Sequence, residues 1–472
     1  MGRAVRPPPV APRLRHRRPS PPESTFTRLQ DVVSDVCGIV PRVELMRMRA
    51  PHLRRVRGYW AQVEHATLLS HAFFHDQRSA QAEVWRESAE GRNGARSAYE
   101  PTRAYVRAVG EALERYACGM YDGTDWLTAS CDELGNDALD PHSVQLPDAR
   151  EYDALDGFSP LPRDAPIRWL WGYRLLDMAP RLVPAQLAYV MLNTLPNEPI
   201  FYPTTSTGWA LHLTREEAIL TGLREVIERD AFFLHWLARI PTRVLDDVND
   251  EVVTAFLAEM QEAGAQAHIH VTSTDIDVAA FACYITHDDP AMPAFMMNTA
   301  AHADPTRGLH QLVEEASMMH MDLVDLKRSG RATVPESGGV ATMAEHANLY
   351  LDHAHREAVD WLLEARGRVS FHDLPRPDDA ALATPLGQVE WLVDRLQRAG
   401  LETYYIDTTP ADLASVGFHA AKVLVPGSVR HEYGAGVRLL ACPRLYEAPV
   451  RMGVRSQPLV RDDINPDPHP YA

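Results

Sequence analysis

Two stretches of the chain place glutamates three residues apart and follow the second directly with arginine. GEALERYACG (Gly110 to Gly119) carries Glu111, Glu114 and Arg115, and REVIERDAFF (Arg224 to Phe233) carries Glu225, Glu228 and Arg229. On a helix, residues three apart share a face, so each copy aims two carboxylates in one direction. Like charges in that relation weaken a helix slightly, and a hard cation between them relieves the repulsion. Glu217 lies eleven residues before Glu228, which at about 100° per residue brings the two within about 20°, with Glu225 about 80° from Glu217. Should the two helices lie side by side, up to five carboxylates meet. Oxygen ligands of that kind are what Mg²⁺ takes when it also holds phosphates, and Arg115 and Arg229 are then candidates for phosphate oxygens. A solvated helix face with local ion pairs accounts for such spacing as well, so spacing alone leaves both readings open.

The elements that position these residues follow from periodicity. Val106, Val109, Leu113 and Tyr116 recur at helical spacing and predict a helix over Thr102 to Tyr121. Thr214, with Glu217 three residues on, is a capping box opening a second helix that runs to about Leu237 and ends before Pro241. The β-branched and aromatic run Phe201 to Leu213 is centred on a small-residue turn at Ser206 to Gly208. Arg168 to Tyr173 and Arg181 to Leu192 read as strands, Gly91 to Ser97 as a loop, and the Asp-, Pro- and Gly-rich Cys131 to Pro166 as a surface connection. Further on, helices are expected at Glu251 to Ala263, Gly308 to Lys327, Glu345 to Gly367 and Pro385 to Ala399. Strands are expected at His268 to Thr272, Ala279 to Thr286, Ala294 to Ala300, Thr403 to Asp407 and Ala421 to Val425. Such interleaving predicts an α/β, mixed α+β architecture. Neither a GxGxxG after a strand nor a GxxxxGK[ST] is present, so no Rossmann site or P-loop is supported.

At 472 residues, 45% hydrophobic and 24% charged, the chain has ordinary globular composition. A net charge of −17 argues against a nucleic-acid or membrane-surface protein. The cysteines Cys37, Cys118, Cys131, Cys283 and Cys442 form no CxxC pair, which fits a reduced, cytoplasmic protein without structural zinc. His65, His71 and His75 read as ordinary surface or core residues. Lysine occurs only at Lys327 and Lys422. No apolar run reaches the length of about 20 residues that spans a bilayer. Residues 1–26 are basic and proline-rich and are expected to stay disordered, with the folded domain over 27–472 and a second proline-rich tail at 465–472.

Taken together, these stretches resemble the YcaO family, whose members use ATP to activate backbone amides of ribosomally made peptides. The resemblance runs from about Leu29 to the end of the sequence. LQDVVSDVCGIV is similar to the family's opening segment, and GEALERY and TSTGWALHLTREEAILTGLREVIERDA to its two signature helices. DPTRGLHQLVEEA (Asp304 to Ala316) and AAKVLVPG (Ala420 to Gly427) fit later segments. Pro466, Pro468 and Pro470 match the PxPxP ending of the azoline-forming cyclodehydratase branch.

The resemblance implies a YcaO-type fold with sheets and helices around an ATP/Mg²⁺ cleft. It implies that Glu111, Glu114, Glu217, Glu225 and Glu228 hold Mg²⁺ and the ATP phosphates, with Arg229 alongside, and that the tail prolines enter or brace the active site. The implied reaction is ATP-dependent cyclodehydration of a precursor peptide. A Cys, Ser or Thr side chain attacks the preceding amide carbonyl, ATP phosphorylates the resulting oxyanion, and phosphate leaves a thiazoline or oxazoline. Thioamide or amidine formation, or an inactive scaffold subunit, are the alternatives. A partner protein that binds the precursor's leader peptide and a homodimer are also implied. Two departures stand out: Arg107 occupies a position where the family usually has serine, and Ala95-Arg96-Ser97 replaces its lysine-glycine turn. Arginine can still meet a phosphate there, with a geometry different from lysine's.

Overall fold

The computed structural model describes residues 8–34, 39–40, 42–45, 57–62, 93–97, 101–121, 123–155, 157–190, 192, 194–332, 340, 343–430 and 438–471. His65, His71, His75 and Cys37 lie outside the described residues.

A helix between two sheets organises the molecule. One sheet contains β4 (Leu127–Ala129), β5 (Ile167–Arg174), β6 (Pro180–Pro184), β7 (Trp209–His212), β13 (Tyr404–Asp407) and β14 (His419–Leu424) in the order β4-β5-β13-β14-β7, with β6 pairing β5. A second sheet runs β11-β10-β9-β8-β12, built from β8 (Arg243–Asp246), β9 (Gln266–Val271), β10 (Ala279–Thr286), β11 (Phe295–His302) and β12 (Arg368–Ser370). A smaller sheet joins β1 (Arg42–Leu45), β2 (Arg57–Gln62) and β3 (Asn93–Ser97). Apart from the parallel β8–β12 pair, the pairings are antiparallel.

The principal helices are α1 (Pro22–Gln30), α2 (Pro101–Gly119), α3 (Arg215–Leu237), α4 (Glu251–Glu262), α5 (Pro305–Arg328), α6 (Met343–Leu349), α7 (Pro385–Arg398) and α8 (Pro443–Arg451). Among the described residues, no helix is long and apolar enough to cross a membrane. Helix α3 is the sandwiched one. Its residues Ala218, Ile219, Leu223, Val226 and Ile227 pack in one core cluster with Ala210, Ala421 and Val423 of the first sheet, Ala280 and Ala301 of the second, and α7. Its second half, Phe232 to Leu237, enters another cluster with Ala282, Tyr284, Phe295 and Met297. Small residues on both sheets permit the close approach. The antiparallel partners Ala421 and Ala210 are both fully buried.

Several expectations are corrected. Asn93–Ser97 is a strand, not a loop, because it pairs with β2. The strand expected over Arg181 to Leu192 stops at Pro184 and becomes the short helix Ala185–Ala188. Glu345 to Gly367 is broken into short helical pieces. The segment after Cys131 is no surface connection: Leu134, Leu139, Leu146, Tyr152, Phe158 and Leu161 are buried, and Glu151 closes a capping box with Asp148 while accepting from the Arg438 and Leu440 amides. Its apolar residues go inward, and its Asp and Ser residues cap the short turns between them.

The tail expected to be disordered is docked at residues 8–20. Tyr173 donates to the Pro9 carbonyl at 3.1 Å, and the Arg15 amide to Glu216 at 2.6 Å. His16 lies 3.1 Å from Thr384 Oγ1, and α1 then begins at Pro22.

Candidate nucleotide and metal site

Helices α2 and α3 each bring their paired glutamates to a common region. Glu114 feels the charges of Glu225 and Glu111, and Glu228 those of Glu225 and of Glu315 on α5. The carboxyls consequently resist ionisation. Burial, reinforced by carboxylate neighbours and opposed by the adjoining arginine, pushes Glu114 up to about 8 and Glu228 up to about 7. Burial raises Glu111 as well.

Each glutamate has a present partner. Arg115 Nη1 is 2.9 Å from Glu114 and its Nη2 3.6 Å from Glu111. Glu225 Oε2 accepts from the Gly208 amide at 2.9 Å, and its Oε1 lies 3.4 Å from Arg229 Nη2. Glu228 Oε1 accepts from Thr299 Oγ1 on β11 at 2.7 Å and from the Tyr471 hydroxyl at 3.1 Å. Among the described residues, no three acidic, histidine or cysteine side chains converge on one point as they stand. A cation shared by the two helices therefore requires side chains of the group to draw closer together.

Glu217 is not brought to this group. It sits in the first turn of α3, eight residues from Glu225 and so about 12 Å along the axis. There its two oxygens take the Ser20 amide at 2.6 Å, the Ser20 hydroxyl at 2.7 Å and the Thr214 hydroxyl at 2.7 Å. Arg107 lies at the edge of the group, within reach of the charge of Glu111, and pairs with Glu314 at 2.9 Å and Glu315 at 2.7 Å, tying α2 to α5.

Arg229 remains with the carboxylates. Its guanidinium carbon lies 4.2 Å from the centre of the Tyr471 ring, while Nε and Nη1 are buried without a hydrogen-bond partner. Arg224, five residues earlier, likewise buries an unpartnered Nε; burial beside Arg107 lowers it to about 10. Unsatisfied guanidinium donors are costly when buried, and an anion is what satisfies them. Acidic groups for a hard cation beside orphaned donors for an anion fit a metal–phosphate complex.

The C-terminal prolines reach the site indirectly. Pro466 is exposed, Pro468 half-buried and Pro470 buried. The Tyr350 hydroxyl donates to the Pro468 carbonyl, His346 stacks on His469 at 3.7 Å, and His469 meets Phe233 edge-on at 4.9 Å. This clamp delivers Tyr471, not a proline, to Glu228. Thr299, Glu314, Glu315 and Tyr471 are site residues that spacing did not reveal, because each arrives from another element. The Glu314-Glu315 pair, in a segment already similar to the family, was the available signal.

The model of the YcaO cyclodehydratase family, described as ATP- and Mg²⁺-binding, matches residues 97–429. The chain belongs to this family. ATP and Mg²⁺ are accordingly the cofactors of its site. The fold is similar to that of a heterocyclase in complex with substrate and cofactor, with a TM-score of 0.79 and 24% identity, covering 98% of this chain and 59% of that one. It is also similar to YcaO from Methanopyrus kandleri bound with AMPPCP and Mg²⁺, with a TM-score of 0.59 and 18% identity over 87% of this chain and 91% of that one. The E. coli microcin synthetase McbBCD complex with pro-MccB17 bound aligns with a TM-score of 0.55 and 13% identity, over 84% of this chain and 92% of that one. The chain thus spans about three-fifths of the heterocyclase chain it matches.

Proposed function

We propose that this YcaO protein is an ATP-dependent cyclodehydratase that forms thiazoline or oxazoline rings in a ribosomally made precursor peptide. The observation that carries this reading is the union of Glu111, Glu114, Glu225 and Glu228 with the unpartnered Nε and Nη1 of Arg229. ATP supplies the phosphoryl group that converts the oxygen of the amide preceding the cyclising residue into a leaving group. The four glutamates are the proposed metal ligands, and Arg229, with Arg224, steadies phosphate charge. Such transfer is mostly positioning and charge neutralisation, so no nucleophile of the enzyme's own is required. Glu217 joins the nucleotide if Ser20 gives up its carboxylate, and Arg107 if Glu314 and Glu315 release it.

The similarity to a substrate-bound heterocyclase and to a multi-component synthetase holding a pro-peptide supports a leader-binding partner protein and a peptide substrate. A homodimer is part of the same proposal. Thioamide or amidine formation uses the same amide activation with an external nucleophile, and an inactive scaffold would keep the fold without turnover.

Calorimetry of Mg²⁺-ATP binding on the wild type, Glu114→Gln and Glu228→Gln tests the site. Binding that both substitutions abolish is expected, and a folded wild type that binds nothing, even with partner present, overturns the reading. Mass spectrometry of a treated precursor then tests the chemistry. Loss of one water per ring is expected, and exchange of oxygen for sulfur identifies thioamide formation instead.

A further inference from the structure

Lys422 is one of only two lysines in the chain and lies on β14 with 4% of its surface exposed. Its ammonium donates to two main-chain carbonyls of the turn before β7, Thr205 at 3.1 Å and Thr207 at 2.6 Å. The peptide unit that carries the Thr207 carbonyl also supplies the Gly208 amide that donates to Glu225 Oε2. Gly208 itself has φ +85°, and its carbonyl accepts from the Val423 amide at 2.7 Å, so β14 holds the turn on both sides of that amide. The direction of the Gly208 N–H is therefore set by β14, chiefly through the Lys422 side chain.

We propose that Lys422 is a positioning residue for the nucleotide–metal site, pinning the carbonyls of Thr205 and Thr207 so that the Gly208 amide holds Glu225 in place. A compact ammonium with three donors fits between two carbonyls where arginine's planar fork does not. Its charged neighbours at the site are Glu225 and Glu114, which keep Arg229 and Arg115 beside them when it is removed. This inference rests on Glu225 serving the bound metal and nucleotide.

The test is AMPPCP binding followed by calorimetry as Mg²⁺ is titrated, in the wild type, Lys422→Met and Lys422→Gln. Methionine fills the volume without donors, and glutamine keeps donors without charge. Lys422→Met is expected to raise the Mg²⁺ concentration for half-saturation at least about tenfold, the effect of one lost charge-assisted hydrogen bond. Lys422→Gln should stay within about threefold, because donation rather than charge positions the turn. In Glu225→Gln the further change Lys422→Met should cost nothing more, since both act through one carboxylate. Lys422→Met binding like the wild type, Lys422→Gln binding as poorly as methionine, or losses that multiply with Glu225→Gln would each overturn the proposal. If Lys422→Met does not fold, a folded Lys422→Gln that loses binding tenfold still overturns it. A wild type that binds no nucleotide would sink the functional reading and this inference together, whereas failure in the variants alone sinks only the latter.

Discussion

The Tyr471 hydroxyl stands 3.1 Å from Glu228 Oε1, joining the C-terminal tail to a carboxylate 243 residues earlier in the chain. Thr299 Oγ1 donates to the same oxygen, so one oxygen of Glu228 is doubly held and its orientation depends on the tail. Tyr471→Phe removes one donor while keeping the ring under Arg229. A buried hydrogen bond to a charged group is worth about 1.5–3 kcal/mol, so turnover should fall about tenfold or more and the melting temperature should drop as well. Tyr471→Ala should fall further by losing the ring. Equal turnover in Tyr471→Phe and wild type would show that the hydroxyl does not govern Glu228.

The raised carboxyls predict a pH dependence of two linked kinds. In the metal-free chain Glu228 and Glu114 ionise near 7 and 8, whereas in the unfolded chain both do so at about 4.3. Between those values the folded chain retains protons the unfolded chain has lost. Metal-free stability from these groups should therefore fall as pH rises from about 4 to 8. Mg²⁺ and nucleotide need the charged forms, so their binding should tighten over the upper part of that window and release protons. Calorimetry in buffers of different ionisation enthalpy reads the proton count, and pH-independent binding without proton release would contradict the assignment.

Stability should respond sharply at the Asp230–Arg444 pair. Asp230, on α3, is fully buried, meets Arg444 of α8 at 2.8 Å, and also accepts from the Val429 amide. Arg444→Met leaves that carboxylate without its cation at a cost of about 3–5 kcal/mol. A denaturant midpoint within error of the wild type would show that the Val429 amide and solvent suffice for Asp230.

Gly208 and Gly222 predict a close-packing limit. A Cβ at Gly222 would stand 2.6 Å from the Gly208 carbonyl, and one at Gly208 would stand 2.3 Å from the Val423 carbonyl at a φ of +85°. Gly222→Ala must push the turn off α3 and Gly208→Ala must push it off β14, each weakening Mg²⁺-nucleotide binding more than it lowers the melting temperature. Wild-type affinity in Gly208→Ala would show that the turn does not hold Glu225.

The sequence disclosed those parts of the site that are local. Thr214 caps α3 as expected, and both ExxER stretches lie on helices. At Glu217 angular arithmetic gives the shared helix face but not the axial separation, and the hold of the cap and of Ser20 on its carboxylate is tertiary information. The docked tail at residues 8–20 escaped composition because its hydrogen bonds go to α3 and to Thr384, the residue before α7, far along the chain. Lys422, Thr299 and Tyr471 escaped for the same reason. Each belongs to a strand or tail with its own periodicity, and only tertiary pairing shows where its polar end arrives.

The threading of Tyr471 also sets an order of events during synthesis. Both glutamate helices leave the ribosome long before residues 465–471, which contact Trp236, Leu237, His346 and Tyr350. Contacts of such sequence separation form late. Glu228 thus acquires its full set of partners only when Tyr471 has emerged, so a nascent chain that stops short of it should not hold Mg²⁺-nucleotide. Ribosome-arrested chains ending before Asn465 should retain far less labelled nucleotide than arrested chains in which a linker frees Tyr471; equal retention would refute this order.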